Sequence, residues 1–162
     1  MTTIFTRLRK DERGAALIEM ALAVPVLATI VVGMADLATV YSMTINVEQA
    51  AQRAVEKVEN QRATSASGYN SALTTEATTA MSDSGYTVAS GDITPESWLE
   101  CGSDTTHQSF TGTCSNASDV NARYVSVRVT HKYRAILGGY VWPNADANGD
   151  MTVAGYAEVR IQ

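Results

Sequence analysis

Histidine, proline, cysteine and phenylalanine are scarce in this chain, at two, three, two and two of 162 residues. Each shortage removes a class of function. Neither His107 nor His131 stands in a motif that would make its imidazole a general base, and there is no glycine-rich phosphate loop. The residues therefore offer no catalytic constellation and no cofactor site, and an enzyme is not expected. Positive charge is short too, with 12 Lys and Arg against 17 Asp and Glu and a net charge of −5. A nucleic-acid binder needs a basic stripe that releases counterions. Here the cations beyond Gly14 are scattered, so nucleic acid is excluded as a partner. Cys101 and Cys114 are too far apart for a CxxC knuckle, and a zinc site would need His107 and His131 to converge on them. The acidic stretch Asp146-Ala147-Asn148-Gly149-Asp150 has Met151 and Ala157 where a calcium loop requires its glycine and bidentate glutamate. It reads as a polar turn, and no metal is expected.

What the chain does have is an ordered change of character along its length. Residues 1–14 carry Arg7, Arg9, Lys10 and Arg13 against Asp11 and Glu12, a net of +2 that leaves −7 for the remainder. An apolar run follows at once. Positive charge before an apolar span holds that end in the cytoplasm and sends the following part across the membrane. Between Glu19 and Asp36 lie sixteen uncharged residues, about 24 Å of helix against a hydrocarbon core of about 30 Å. Extension to 15–41 gives a full span, with Glu19 near the cytoplasmic end and Asp36 near the outer end, where water or headgroups meet it. Pro25 removes one amide donor and crowds the preceding turn, so a kink or local loosening is expected there.

The helix is predicted to run on to Glu59, with 42–60 continuing outside the membrane. Val47, Ala51, Ala54 and Val58 recur at spacings of four, three and four, while Glu48, Gln52, Arg53, Glu56 and Lys57 take other faces. Periodicity identifies the buried face and not its cover: another subunit's helix and the chain's own domain are equal readings.

Residues 61–162 read as a head. Arg62 to Gly68 is a hinge or loop, and Ser71 to Ser82 a short helix with Leu73, Ala77, Ala80 and Met81 inward. Asp83-Ser84-Gly85 ends that helix, and Tyr86 to Ala89 is expected as a strand. Gly91 to Asn121 is polar and loop-rich, anchored by Pro95, Trp98 and Leu99. A disulfide between Cys101 and Cys114 is expected to staple it, as in an oxidising compartment; two unpaired thiols are the competing reading. Asn116-Ala117-Ser118 formally matches a glycosylation acceptor and is discounted in a chain of bacterial character. The strongest strand signals come last. Val125, Val127 and Val129 alternate with polar neighbours, as do Met151, Val153, Gly155, Ala157, Val159 and Ile161. Gly138-Gly139 and Asn148-Gly149 supply turn chemistry between them, and Ala135-Ile136-Leu137 with Tyr140-Val141-Trp142-Pro143 a hydrophobic connection. The two strands should pair antiparallel and, with the Tyr86 strand, make a sheet of at least three that the long helix covers. The fold class is α+β.

Arg13-Gly14-Ala15-Ala16-Leu17-Ile18-Glu19 places a lone carboxylate just inside the apolar run. Together with Pro25, Gly33-Met34-Ala35-Asp36 and Glu48-Gln49-Ala50-Ala51-Gln52-Arg53-Ala54-Val55, it resembles the TadE-like pseudopilins of the tight-adherence (Flp) pilus, over roughly Glu12 to Val58. That resemblance implies cleavage after Gly14 by a prepilin peptidase, a new amine on Ala15, and pairing of that amine with Glu19 of a neighbouring subunit. In a low-dielectric setting such a pair offsets the burial cost of two ions that would be penalised singly. Met20 departs from the family, which tends to place an aromatic directly after this glutamate. The resemblance also implies other TadE-like proteins, an inner-membrane assembly platform and membrane lipid as partners, and a head outside the cytoplasm. About a hundred residues beyond the helix would make a repetitive fibre bulky, so a minor pilin or assembly factor is expected rather than the abundant pilin. An uncleaved signal anchor, an ordinary secretory signal peptide and a permanently anchored periplasmic binding module are the competing readings.

Overall fold

A computed structural model describes residues 12–61, 63, 65–116, 118–137, 142 and 145–161. Most of the basic leader, Gly138-Gly139, Tyr140-Val141, Pro143 and Ala117 lie outside the described residues. The first element is helix α1, Glu12–Glu59. It continues through Pro25, whose carbonyl accepts the Thr29 hydroxyl at 2.8 Å. The chain divides into two compact units, Met1–Ala38 and Thr39–Gln162. In the first, Leu17, Ile18, Met20, Leu22, Val26 and Val31 are each at least 60% exposed, so the apolar surface goes without a cover of its own.

In the second unit, α1 is amphipathic as its spacing predicts. Val47, Ala51, Ala54 and Val58 are fully buried, and Met43, Ala50 and Val55 widen the stripe. Helix α2, Ala66–Asp83, begins earlier than expected because the Ser65 hydroxyl accepts the Gly68 amide and caps the first turn. Leu73, Ala77, Ala80 and Met81 point inward as read from the sequence. Thr74, Thr75, Thr78 and Thr79 each donate a hydroxyl to the carbonyl four residues back, which lets a threonine-rich segment stay helical. The helices run antiparallel: the Gln61 carbonyl takes the Tyr69 hydroxyl, Lys57 pairs with Glu76, and Arg53 pairs with Asp83.

Four antiparallel strands complete the unit: β1 (Ile93–Cys101), β2 (Asp104–Gln108), β3 (Asn121–Arg134) and β4 (Asp150–Arg160), in the order β2-β1-β3-β4. The expected pairing of the two valine-rich strands holds, with Val129 opposite Gly155 and Val127 opposite Ala157. Val125, Val127 and Val129 are fully buried in the same core as the α1 stripe and the inward residues of α2.

The third strand is not where the sequence suggested. Tyr86 to Ala89 is not a strand; the Tyr86 amide closes the end of α2 on the Met81 carbonyl, and its ring lies 5.4 Å from that of His131. Its place is taken by β1, with β2 beyond it, both from the stretch that read as loop. Pro95 lacks the amide an inner strand would need, but β2 reaches only the Leu99–Cys101 end of β1. At Pro95 the strand is locally an edge, where proline is tolerated.

At Gly155 the backbone of α1 closes on the sheet. A Cβ at this position would stand 2.6 Å from the Glu48 amide nitrogen and closer still to the Val47 carbonyl. No side chain fits between them.

Candidate functional site

Gly14 and Ala15 lie in the first turns of α1, so the backbone at the expected scissile bond is helical rather than extended. Gly14 is exposed, and a Cβ there would meet nothing within 4 Å. Glu19 is exposed and stands four residues beyond Ala15, the spacing that puts two positions on one helix face. Among the described residues no ion pair reaches Glu19. Its neighbours Leu17, Ile18, Met20 and Leu22 are 64–71% exposed. Charge and apolar surface are thus presented together, the arrangement that makes a lone carboxylate costly in lipid unless it finds a cation.

Asp36 departs from expectation. Rather than meeting water, its side chain is fully buried, and it takes part in a polar interaction. A buried carboxylate has to be compensated in this way, and its position in an alanine-rich apolar segment gave no sign of it.

Cys101, at the end of β1, is bonded to Cys114, with the two Cα atoms 5.5 Å apart. The loop they close holds β2 and is ordered from inside. Arg123 of β3 donates Nε to the Phe110 carbonyl at 2.9 Å and lies over the Phe110 ring, which meets Tyr69 edge-on at 5.5 Å. Beside the disulfide is a polar cleft of about 340 Å³, lined by Ser103, Asp104, Gln108, Ser115, Asn116 and Asp119. His107 stacks on Trp98 at 4.1 Å and His131 faces Tyr86, so the histidines belong to separate clusters. Among the described residues no three His, Cys, Asp or Glu side chains gather as metal ligands. Asp146 closes the turn before β4, its Oδ1 accepting the amides of Asn148 at 2.9 Å and Asp150 at 3.0 Å. Those two bonds, more than the nearby Lys132, hold its carboxyl below the usual range.

Sequence reasoning missed the outer face of the sheet. Trp98 is buried between His107 and Tyr124, Arg128 lies over the Tyr156 ring, and the Tyr156 hydroxyl donates to Glu158 at 2.7 Å. The polar half of the alternation in β3 and β4 was legible, but its cross-strand partner Trp98 sat in a segment read as loop.

One helix among the described residues is long and apolar enough to cross a membrane. Its C-terminal part packs on a four-stranded antiparallel sheet, a pilin-like α+β arrangement. The class is that of a helix-led, pilin-like protein. A family model described as TadE-like protein matches residues 14–56, and over that segment the chain is similar to that family. No curated protein and no solved structure matches the chain. The matched segment opens at Gly14 and takes in Glu19, the exposed apolar surface and most of the buried stripe.

Proposed function

We propose that this protein is a minor pilin, pseudopilin or assembly factor of a tight-adherence pilus, cleaved after Gly14 by a prepilin peptidase and anchored by residues 15–41. The observation that carries the reading is a coincidence of boundaries. The family match starts at the glycine that precedes Ala15, and the helix it covers is exposed and apolar before Asp36 but carries a buried stripe from Met43 onward. Two covers are therefore needed, and the head supplies only the second. Lipid covers the first half before assembly, and the helices of other TadE-like subunits cover it afterwards. Glu19 then sets register: in lipid an unpaired carboxylate is penalised by roughly 2.5–3.5 kcal/mol, and the Ala15 amine of a neighbouring subunit is the cation that relieves it. The head stays on the periplasmic side, where the Cys101–Cys114 disulfide forms. An inner-membrane platform moves the subunit.

Intact-mass analysis and N-terminal sequencing of the protein from its native envelope test the reading. A mature chain that begins at Ala15 is expected. A retained leader would show a permanent anchor and overturn the processing step.

A further inference from the structure

The two borders of the sheet are built differently. On the β1 side, β2 is five residues long, exposed throughout and joined across a bulge between Leu99 and Cys101, and beyond its reach Pro95 offers no amide. Short strands, bulges and prolines keep an edge from pairing with another chain. The opposite border is β4, 11 residues without proline or lysine, paired with β3 in unbroken register from Asp150 to Arg160.

One bond fixes where its remaining backbone groups point. Just past the strand the Ile161 amide donates to the Arg123 carbonyl at 2.8 Å, so odd-numbered residues face β3 and even-numbered ones turn both N–H and C=O away from it. At Asp150 those outward groups are occupied: the Asp146 amide donates to the Asp150 carbonyl, and Asp146 Oδ1 accepts the Asp150 amide. From Thr152 through Ala154 and Tyr156 to Glu158 no described strand pairs with them, and all four residues are exposed.

This edge lies beneath a flank of α1. Val47, in the buried stripe, sits over Gly155, while α2 packs on β1; the side of α1 turned away from Arg53 and Lys57, which reach α2, therefore overlooks the free edge. Tyr41, Ile45, Glu48, Gln52 and Glu59 share that flank by their spacing of four, three, four and seven, and all are exposed. On the outer face of the strand stands Glu158, hydrogen-bonded by Tyr156. Glu48 and Glu158 thus place a carboxylate on each side of the edge, with Arg128 one strand further in over Tyr156 and Arg160 at the far end.

An occupant has to pair with an extended edge, fit below α1 and answer two carboxylates. A second copy fails the middle condition. Twofold pairing of β4 with itself would set two α1 helices over strands about 5 Å apart, whereas packed helices stand about 8–10 Å apart. We propose that the outer edge of β4, from Thr152 to Glu158, is a strand-addition site for an extended basic segment of another polypeptide, one that carries no helix over the added strand. Its backbone completes the outward hydrogen bonds, and Lys or Arg side chains on its two faces meet Glu48 and Glu158. Every residue of the site belongs to the second unit, so binding does not depend on cleavage after Gly14.

The probe is a fluorescein-labelled peptide of alternating Thr and Val with two adjacent Lys at its centre, which in a strand point to opposite faces. Fluorescence anisotropy with the full-length protein in nonionic micelles should show saturable binding. Ala154→Pro deletes an outward donor and none of the bonds to β3, and should weaken binding about tenfold. The same peptide with Glu for both Lys should bind about tenfold more weakly as well. Should Ala154→Pro fail to fold by circular dichroism, the Lys peptide with its backbone amides N-methylated removes the same bonds from the other side. Absence of binding, or binding indifferent to the proline or to the methylation, would overturn the site. Sedimentation equilibrium accompanies each titration: a dimer of the unsubstituted protein that Ala154→Pro dissolves would overturn the occupant and assign the edge to a second copy.

Discussion

Val47 and Gly155 meet backbone to backbone: the helix carbonyl occupies the space in which any side chain on the strand would begin. Gly155→Ala must therefore push α1 off the sheet, at a cost of about 1–3 kcal/mol for overpacking. Gly91, where a Cβ meets nothing within 4 Å, serves as the control. Urea unfolding of the two alanine variants should show a clear loss for Gly155→Ala and almost none for Gly91→Ala.

Glu19→Ala removes a charge that no described residue pairs with, so the head should be untouched and membrane insertion unimpaired or improved. Assembly is where the loss should appear. Membrane fractionation and recovery of sheared surface fibres, measured together, separate the two; equal fibre yield from both proteins would remove Glu19 from the assembly step.

Replacing Cys101 and Cys114 together by serine opens a loop of the size for which the chain-entropy model gives about 3 kcal/mol. Unfolding with and without reductant should show that loss in the unsubstituted protein only, since the double variant has nothing left to reduce. The change should centre on β2 and the loop to Phe110, which hydrogen exchange resolves from β3 and β4.

Asp146 gives a pH signature. Its folded pKa lies below its ordinary 3.8, so the ionised form is favoured by folding. The stabilisation is fully present above the unfolded value and is lost as pH falls through the folded one. The unsubstituted protein should therefore exceed Asp146→Asn in stability at neutral pH, with the gap closing below pH 3.8. A gap that persists unchanged under acid would assign the effect to turn geometry and not to charge.

Much of this architecture is readable from residue order because long, regular patterns dominate it. The stripe through Val47 and Val58 persists for several turns, and the valines of β3 alternate without interruption, so each element declares its buried face. β1 does not. Its inner face carries Pro95 and Ser97 where an apolar pattern is expected, while its outer face buries Trp98, so alternation is inverted at the places that matter. β2 is exposed throughout and is held by β1 and the disulfide, neither a local property of its residues. Tyr86 to Ala89 looked like a strand on composition, but the end of α2 claims the Tyr86 amide before any strand can. Of the candidate site, Gly14, Ala15 and Glu19 are marked in the sequence by a short motif. The burial of Asp36 has no such local signal.

The meeting of Val47 with Gly155 also orders events in time. The two residues lie roughly a hundred positions apart, and such distant contacts are slow to form. The helix leaves the ribosome roughly a hundred residues before the strand that receives it. Until β4 is made the stripe has only α2 and β3 to cover it, and a subunit truncated before β4 would leave the part around Val47 without its strand. Completion of β4 thus closes the last open side of this core and lowers the subunit's attraction for chaperones and proteases.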